Sequence, residues 1–193
     1  IGAPGYDGNS NYSVVGNVRI FQYQVISGTA TWTQLGPSIV GEADTDTSGW
    51  HLSLSSDGSR VAISAWNNDG NGTNSGHVRV YDYNGSAWAQ VGADIDGEAA
   101  YDNFGIDTSL SSDGSRVAIG AYRNGSNDSG HVRIYQYNNN SWSQLGADID
   151  GEAANDESGY SVSLSSDGSR VAIGAIGNDG NGTNSGHVRV YDY

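Results

Sequence analysis

Acidic and amide side chains crowd two kinds of loop in this sequence, and their oxygen atoms are the ligands that Ca²⁺ takes. Residues 93–105 and 147–159 share "ADIDGEAA", and residues 68–76 and 178–186 share "NDGNGTNSG". The candidate metal ligands are Asp94, Asp96, Glu98, Asp102, Asp148, Asp150, Glu152, Asp156, Asp69 and Asp179. Neither loop holds a complete EF-hand motif. The alternative is turn chemistry, because Asp, Asn and Gly tolerate positive φ and cap their own backbone. Calcium is the one cofactor suggested, and the turn interpretation needs none.

Asn-x-Ser/Thr sequons recur along the chain, and such sites accept glycans in the surface loops of secreted proteins. The glycosylation candidates are Asn11, Asn71, Asn84, Asn124, Asn127, Asn139 and Asn181. The alternative is chance in a chain rich in Asn, Ser and Thr, and Asn71 and Asn181 are one site copied. The sequons fit a secreted or cell-surface protein.

The other aromatic and titratable residues that attract notice are periodic. They are Trp32, Trp88 and Trp142, and His77, His131 and His187. A residue that recurs in every repeat is expected to serve packing, although an exposed Trp could also stack on a sugar. Catalysis needs unlike groups at one point, and the chain has no Cys, no G-x-S-x-G and no H-E-x-x-H. These observations predict a protein that is not an enzyme.

These residues belong to an internal repeat of about 55 residues. "SLSSDGSRVAI" begins at Ser53, Ser109 and Ser163. Each repeat predicts four short strands, A to D, and an Asp-Gly turn joins A to B. In the last two repeats, strand D covers 142–149, A covers 160–166, B covers 170–175 and C covers 187–193. The expected fold class is all-β, with β-propeller blades that are each a four-stranded antiparallel meander.

Charge and composition restrict the partners. The chain of 193 residues has 22 acidic and 8 basic residues, a net charge of −14. Nucleic-acid binding needs a basic surface, so that class is excluded. No apolar run approaches the length of a membrane span, so membrane insertion is not expected either. The acidity fits solubility or cation binding.

The chain resembles the FG-GAP repeats of integrin-α-like β-propellers. The residues that carry the resemblance are Phe104-Gly105 before strand A and Ile1-Gly2-Ala3-Pro4 after strand B. Weaker copies are Ser48-Gly49, Ser158-Gly159, Ile63-Ser64-Ala65, Ile119-Gly120-Ala121 and Ile173-Gly174-Ala175. Many blades of this family carry a D-x-D-x-D-G calcium loop between strands A and B, whereas this chain has only Asp57, Asp113 and Asp167 there. We therefore expect hairpin turns at these places, without the family's usual calcium site.

The domain prediction is one β-propeller region over 1–193, with a partial blade at 1–47, blades at 48–103 and 104–157, and a partial blade at 158–193. The expected function is a non-enzymatic, extracellular role in structure, adhesion or protein interaction. The expected partners are a protein or glycan at the cell surface, and a longer chain or second copy that closes the propeller. The alternative is a calcium- or carbohydrate-binding module that uses the acidic B–C and D–A loops.

Overall fold

The structure, a computed structural model, describes residues 1–5 and 15–192. Strands account for nearly all of the regular structure in these residues, and Asn124–Asp128 (η1) form an irregular π-type turn with non-helical Gly125 and Asn127. The strands are β1 Gly2–Ala3, β2 Asn17–Val18, β3 Phe21–Ile26, β4 Thr29–Gln34, β5 Ile39–Val40, β6 Leu52–Leu54, β7 Arg60–Ala65, β8 His77–Tyr83, β9 Trp88–Gln90, β10 Ile95–Asp96, β11 Thr108–Leu110, β12 Arg116–Ala121, β13 His131–Asn138, β14 Ser141–Gln144, β15 Ile149–Asp150, β16 Ser158–Leu164, β17 Arg170–Ala175 and β18 His187–Asp192. The all-β prediction is confirmed.

Antiparallel meanders follow the repeats, which we number 1 (1–47), 2 (48–103), 3 (104–157) and 4 (158–193). In repeat 2 the sheet order is β10-β8-β7-β6, with β9 also paired to β8. In repeat 3 the order is β11-β12-β13-β14, with β15 also paired to β13. Repeat 4 contributes β16-β17-β18, and repeat 1 contributes β1-β2-β5 and the hairpin β3-β4.

Strand D differs from its prediction. The expected continuous strand over 142–149 is two pieces, β14 and β15, that both pair with β13. Gly146 lies between the pieces with φ of +78°. This conformation suits glycine and interrupts an extended strand, so the ladder breaks there and resumes at Ile149.

The A–B turns follow from their Asp-Gly sequence. Asp57 accepts hydrogen bonds at Oδ1 from Ser55 Oγ at 2.7 Å and from the Ser59 N–H at 2.9 Å. Gly58 has φ of +70°, which a tight turn requires here. The same turn recurs at Asp113 and Asp167. Their carboxylates therefore face protein donors inside tight turns.

The core lies at the seams between repeats. Val18, Ile20 and Ile39 of repeat 1 pack with Val61 and Ile63 of repeat 2. A second cluster joins repeats 2 and 3, and a third joins repeats 3 and 4. Each sheet thus buries one face on the next repeat, as stacked blades do.

No helix in the described residues is long and apolar enough to cross a membrane.

Candidate functional site

At each of the first two seams between repeats, an arginine forms ion pairs with carboxylates from both repeats. Arg79, on β8, donates from Nη2 to Asp94 Oδ2 at 2.8 Å and forms an ion pair with Glu42 of repeat 1. Asp94 lies between β9 and β10 of the same repeat, whereas Glu42 follows β5, so only the D–A loop of repeat 1 reaches over the neighbouring sheet. The cluster connects repeat 1 to repeat 2 through opposite charges.

The same cluster recurs at the next seam. Arg133 donates to Asp148 through Nε at 2.8 Å and Nη2 at 2.7 Å, and it pairs with Glu98 of repeat 2. The hydrogen bond from Arg133 lowers the pKa of Asp148 to about 2. At the third seam, Arg189 lies 3.0 Å from Glu152. This periodic use indicates a structural role, since a single active site would break the repeat.

A buried histidine lies beside each of the first two arginines. His77 is 4% exposed and His131 is 1% exposed. Burial lowers the pKa of His77 to about 4, and burial also lowers the pKa of His131. Their Nδ1 atoms lie 3.9 Å from Asp94 and 4.0 Å from Asp148, outside hydrogen-bond range. Both imidazoles are therefore neutral near pH 7.

These clusters contain enough donor atoms to suggest a metal. The sets are Glu42, His77 and Asp94, and Glu98, His131 and Asp148, each with ligand atoms within 4.8 Å of one another. However, a guanidinium group already pairs with both carboxylates of each set. A divalent cation would have to displace the arginine and would then face its charge at short range. The geometry fits an ion-pair network better than a metal site.

The structure distributes the predicted acidic ligands over separate interactions. Asp94 and Glu98 lie in different seam clusters. Asp102 and Asp156 are buried and accept the Ala99 and Ala153 N–H groups at 2.9 and 3.0 Å, and Asp69 and Asp179 accept the Asn74 and Asn184 N–H groups at 2.7 Å. Asp96, Asp150 and Glu152 are exposed. Most of these oxygens therefore already face protein donors.

The predicted glycosylation sites fall mainly on the surface. Asn71, Asn84, Asn127, Asn139 and Asn181 are exposed, Asn124 is partly exposed, and Asn11 lies outside the described residues. The Asn71 amide donates to the Gly97 and Glu98 carbonyl oxygens at 2.8 and 3.1 Å. These two hydrogen bonds join the B–C loop to the D–A loop. A glycan on the Asn71 amide would compete with them.

A comparison of the repeats with one another locates the surface that varies. Residues 53–63, 109–119 and 163–173 are identical in all three copies. In contrast, the three positions before this segment and the third and fourth positions after it differ in every copy, although Ala65, Ala121 and Ala175 lie between them unchanged. The differing residues are Trp50, Ile106 and Tyr160; His51, Asp107 and Ser161; Leu52, Thr108 and Val162; Trp66, Tyr122 and Ile176; and Asn67, Arg123 and Gly177. All lie where strand A begins and strand B ends; Thr108 and Val162 are buried, and the other members reach the surface beside the long loops. We call this set the divergent face.

The divergent face contains four Trp and Tyr side chains. Trp50 and Trp66 pair edge to face within repeat 2, with ring centroids 5.5 Å apart. Tyr122 and Tyr160 pair across the seam between repeats 3 and 4, at 5.6 Å. Trp50 is 48% exposed and Tyr160 is 44% exposed. The face therefore offers aromatic rings to solvent, beside polar loops.

The divergent face also contains a histidine and an aspartate in contact. His51 Nε2 lies 2.9 Å from Asp107 Oδ1, and this hydrogen bond raises the pKa of His51. The Thr108 N–H approaches His51 Nδ1 at 3.4 Å, and the Val162 N–H donates to Asp107 Oδ2 at 2.8 Å. Both nitrogens of neutral His51 thus face protein groups. The pair links the A strands of successive repeats and leaves no ring nitrogen directed at a substrate.

The divergent face was not predicted from the sequence, because the repeats were identified by the residues that they share. A position-by-position comparison of the repeats would have found it. The His51–Asp107 contact needed the structure, since 56 residues separate the two positions in the printed sequence.

Comparisons with known proteins identify the same kind of repeat in this chain. Residues 147–191 match the model of the FG-GAP repeat. Among curated proteins, none matches this chain significantly. The fold is similar to a candidate 6-phosphogluconolactonase from Bacteroides uniformis, with a TM-score of 0.56 and 14% identity over 90% of this chain and 44% of that one. It is also similar to the periplasmic gluconolactonase PpgL of Pseudomonas aeruginosa, with a TM-score of 0.51 and 17% identity over 98% of this chain and 48% of that one.

This chain spans about half the length of both structures. At such identities the likeness concerns the fold alone. The chain therefore contains an FG-GAP repeat at residues 147–191 and has the sheet arrangement of a β-propeller segment.

Proposed function

We propose that this chain is a non-enzymatic, extracellular β-propeller module that binds a partner at the cell surface through its divergent face. The observation that carries the proposal is the contrast between an invariant hairpin and the variable residues at one end of it. Duplicated repeats start alike, and the changes at exposed Trp50 and Tyr160 lie outside the buried core, so packing does not account for them. In this proposal each repeat is a four-stranded blade, and further repeats from a longer chain or a second copy complete the ring.

The chemistry of the face favours a neutral glycan as partner. Exposed Trp50 and Tyr160 can stack on the apolar faces of sugar rings. The neighbouring Asn-rich loops offer amide and carboxylate groups for hydroxyls. A net charge of −14 disfavours anionic glycans and nucleic acid. Adhesion through surface glycans follows from these properties.

A repeat-matched variant tests this proposal. The changes Trp50→Tyr, His51→Ser, Leu52→Val, Trp66→Ile and Asn67→Gly give repeat 2 the divergent-face residues that repeat 4 already carries. The probe is a printed panel of neutral oligosaccharides. We expect binding by the native chain, loss of at least about tenfold in affinity for the variant, and a similar melting temperature. Trp32→Ala, an exposed aromatic change away from the face, is the matched control and should bind like the native chain.

The proposal fails if no neutral oligosaccharide binds, or if the variant and the native chain bind equally. The alternative is that the chain binds its glycan through a calcium ion. It predicts that EDTA abolishes binding, whereas stacking on aromatic rings predicts no change.

Hydrolysis of a sugar lactone is a second candidate, because two proteins of similar fold carry lactonase names. Of the residues on the divergent face, His51 is the one whose side chain could serve as a general base in such a reaction. Its ring nitrogens face Asp107 and Thr108, which argues against this role. Glucono-δ-lactone is the test substrate: hydrolysis by the native chain that His51→Asn abolishes would replace binding with catalysis as the function.

A further inference from the structure

Four Asn-Gly dipeptides lie in the turns and loops of this chain, and they share a chemical reactivity. They are Asn71-Gly72, Asn84-Gly85, Asn124-Gly125 and Asn181-Gly182. The backbone nitrogen that follows an asparagine can attack the side-chain amide carbon and close a succinimide ring. Glycine in the second position has no side chain to obstruct this attack. Because the dipeptide is the same at all four sites, only their surroundings can distinguish them.

At two of the four sites a hydrogen bond engages the attacking nitrogen. The Gly72 N–H donates to the Asp69 carbonyl oxygen at 3.1 Å, and the Gly182 N–H donates to the Asp179 carbonyl oxygen at 3.1 Å. The nitrogen must lose this proton in order to react. Its loss would break the hydrogen bond of the turn and set a negative nitrogen against a carbonyl oxygen. Local hydrogen bonding therefore protects both Asn71 and Asn181.

Asn71 is protected by its side chain as well. Its Nδ2 atom, which would be the leaving group, donates to the Gly97 and Glu98 carbonyl oxygens at 2.8 and 3.1 Å. These bonds hold the carboxamide against the D–A loop. The carboxamide would have to give up both bonds to turn onto the Gly72 nitrogen, so the reaction at Asn71 is opposed at both reacting groups.

The side chain of Asn124 faces a carboxylate across the seam between repeats 2 and 3. Its Nδ2 atom lies 3.5 Å from Glu98 Oε2. Attack on the amide places negative charge first on the attacking nitrogen and then on the amide oxygen. A carboxylate at this distance opposes that charge, so the reaction at Asn124 is disfavoured electrostatically.

Asn84 lies in a different environment, in the turn between β8 and β9. Asn84 and Gly85 are exposed, and among the described residues no acceptor takes the Gly85 N–H. Asn84 Oδ1 accepts the Ser86 and Ala87 N–H groups at 3.0 and 2.9 Å. The first of these bonds closes an Asx turn, a ring that contains both the amide carbon of Asn84 and the nitrogen of Gly85. The turn therefore holds the two reacting atoms close together.

The donors of the Asx turn also favour the reaction electrostatically. Negative charge moves onto Asn84 Oδ1 as the Gly85 nitrogen adds to the amide carbon. The Ser86 and Ala87 N–H groups already donate to that oxygen, and Ser86 Oγ adds a third donor at 3.0 Å. Donors that are in place before an oxyanion develops lower the barrier to its formation.

We propose that Asn84 is a site of spontaneous covalent modification, at which the folded turn promotes succinimide formation and deamidation. The Gly85 nitrogen forms a bond to Cγ of Asn84, the bond from Cγ to Nδ2 breaks, and the proton of the Gly85 N–H leaves with the ammonia. Water then opens the ring at either carbonyl carbon and gives aspartate or isoaspartate. One water is consumed and one ammonia is released, with no oxidation or reduction. This inference does not depend on glycan binding by the divergent face.

The modification changes a turn that leads into a seam. Both products add a negative charge, and isoaspartate also adds one carbon to the main chain. Trp88 follows this turn, and its indole N–H donates to the Leu35 carbonyl oxygen of repeat 1 at 2.8 Å. Asn84 is also a glycosylation candidate, and a glycan on Nδ2 would occupy the atom that leaves as ammonia.

The test compares the four sites within one chain. The full chain, produced without glycosylation, is incubated in mildly alkaline buffer, and peptide mapping by mass spectrometry follows the loss of each asparagine over time. We expect Asn84 to react first, at least about tenfold faster than the matched controls Asn71 and Asn181. Labelling by an isoaspartyl methyltransferase should identify isoaspartate at position 84.

The same incubation in urea separates the effect of the fold from that of the local sequence. The Asx turn and the protecting hydrogen bonds all require the folded chain, so we expect the rates of the four sites to converge once the chain is unfolded. Equal rates at Asn84 and Asn71 in the folded chain overturn the proposal, and so does a faster reaction at Asn124. A preference for Asn84 that persists unchanged in urea overturns it as well, because the sequence around the dipeptide would then be the cause.

Discussion

The buried histidines at the seams predict a specific weakness toward mild acid. His77 is surrounded by Arg79, Asp94 and Glu42, and burial is the main cause that lowers its pKa from 6.5 to about 4. The nearby guanidinium adds to this effect, and the two carboxylates oppose it. An unfolded chain binds the proton near pH 6.5, whereas the folded chain resists it until about pH 4. The free energy of unfolding therefore falls as the pH decreases through this window.

The magnitude follows from the pKa difference. Because one pKa unit is worth about 1.4 kcal/mol, His77 alone should lower the free energy of unfolding by about 1.4 kcal/mol at about pH 5.5 and about 2.5 kcal/mol at about pH 4.5. His131, beside Arg133, acts in the same direction. The pKa of Asp94 is lowered below 3.8, so its protonation belongs to more acidic conditions.

The assay is urea unfolding of the native chain and of His77→Asn/His131→Asn at several values between about pH 7.5 and 4.5. Asn17 occupies the equivalent position of repeat 1, so the fold already accommodates this side chain. We expect the stability of the double variant to depend less on pH in this window. His51→Asn is the control of opposite sign: the pKa of His51 is raised, so its pairing stabilises the folded state most at low pH and this gain is lost as the pH rises. Parallel pH profiles for the native chain and the double variant would refute the reasoning.

The remaining predictions concern the seams and the loops. Phe104→Ala should lower the free energy of unfolding by about 3 to 4 kcal/mol, measured by urea unfolding, because this fully buried ring fills the cluster between repeats 2 and 3; a cost below about 1 kcal/mol would contradict that packing. Arg133→Met should lower the free energy of unfolding by about 2 to 3 kcal/mol in the same assay, because it leaves two carboxylates unpaired at a seam. The control is Arg189→Met. Because Arg189 has one carboxylate partner and is more exposed, this change should lower the free energy of unfolding by under about 1 kcal/mol. EDTA should leave the melting temperature unchanged in a thermal scan, because Asp102 and Asp69 already accept protein hydrogen bonds; a fall of several degrees would instead establish a structural cation.

Much of the architecture was predictable because a repeated sequence repeats its local physics. "SLSSDGSRVAI" combines alternating apolar residues with an Asp-Gly turn, and each copy folds as the same hairpin. The bounds of strand B, Arg170–Ala175, match the prediction. Strand D was less predictable, because the break at Gly146 depends on pairing with β13 as well as on the local sequence.

The sequence by itself determined the strands, the turns and the period, since these depend on residues close together along the chain. Only the tertiary structure decided which acidic residues meet. Glu42 and Asp94 share Arg79, although one belongs to repeat 1 and the other to repeat 2. Likewise, Leu54 and Leu110 have the same local sequence and very different exposure, because β6 and β7 pack beside Leu110, whereas no equivalent hairpin of the described residues packs beside Leu54. Contacts between repeats depend on stacking, which no local pattern encodes.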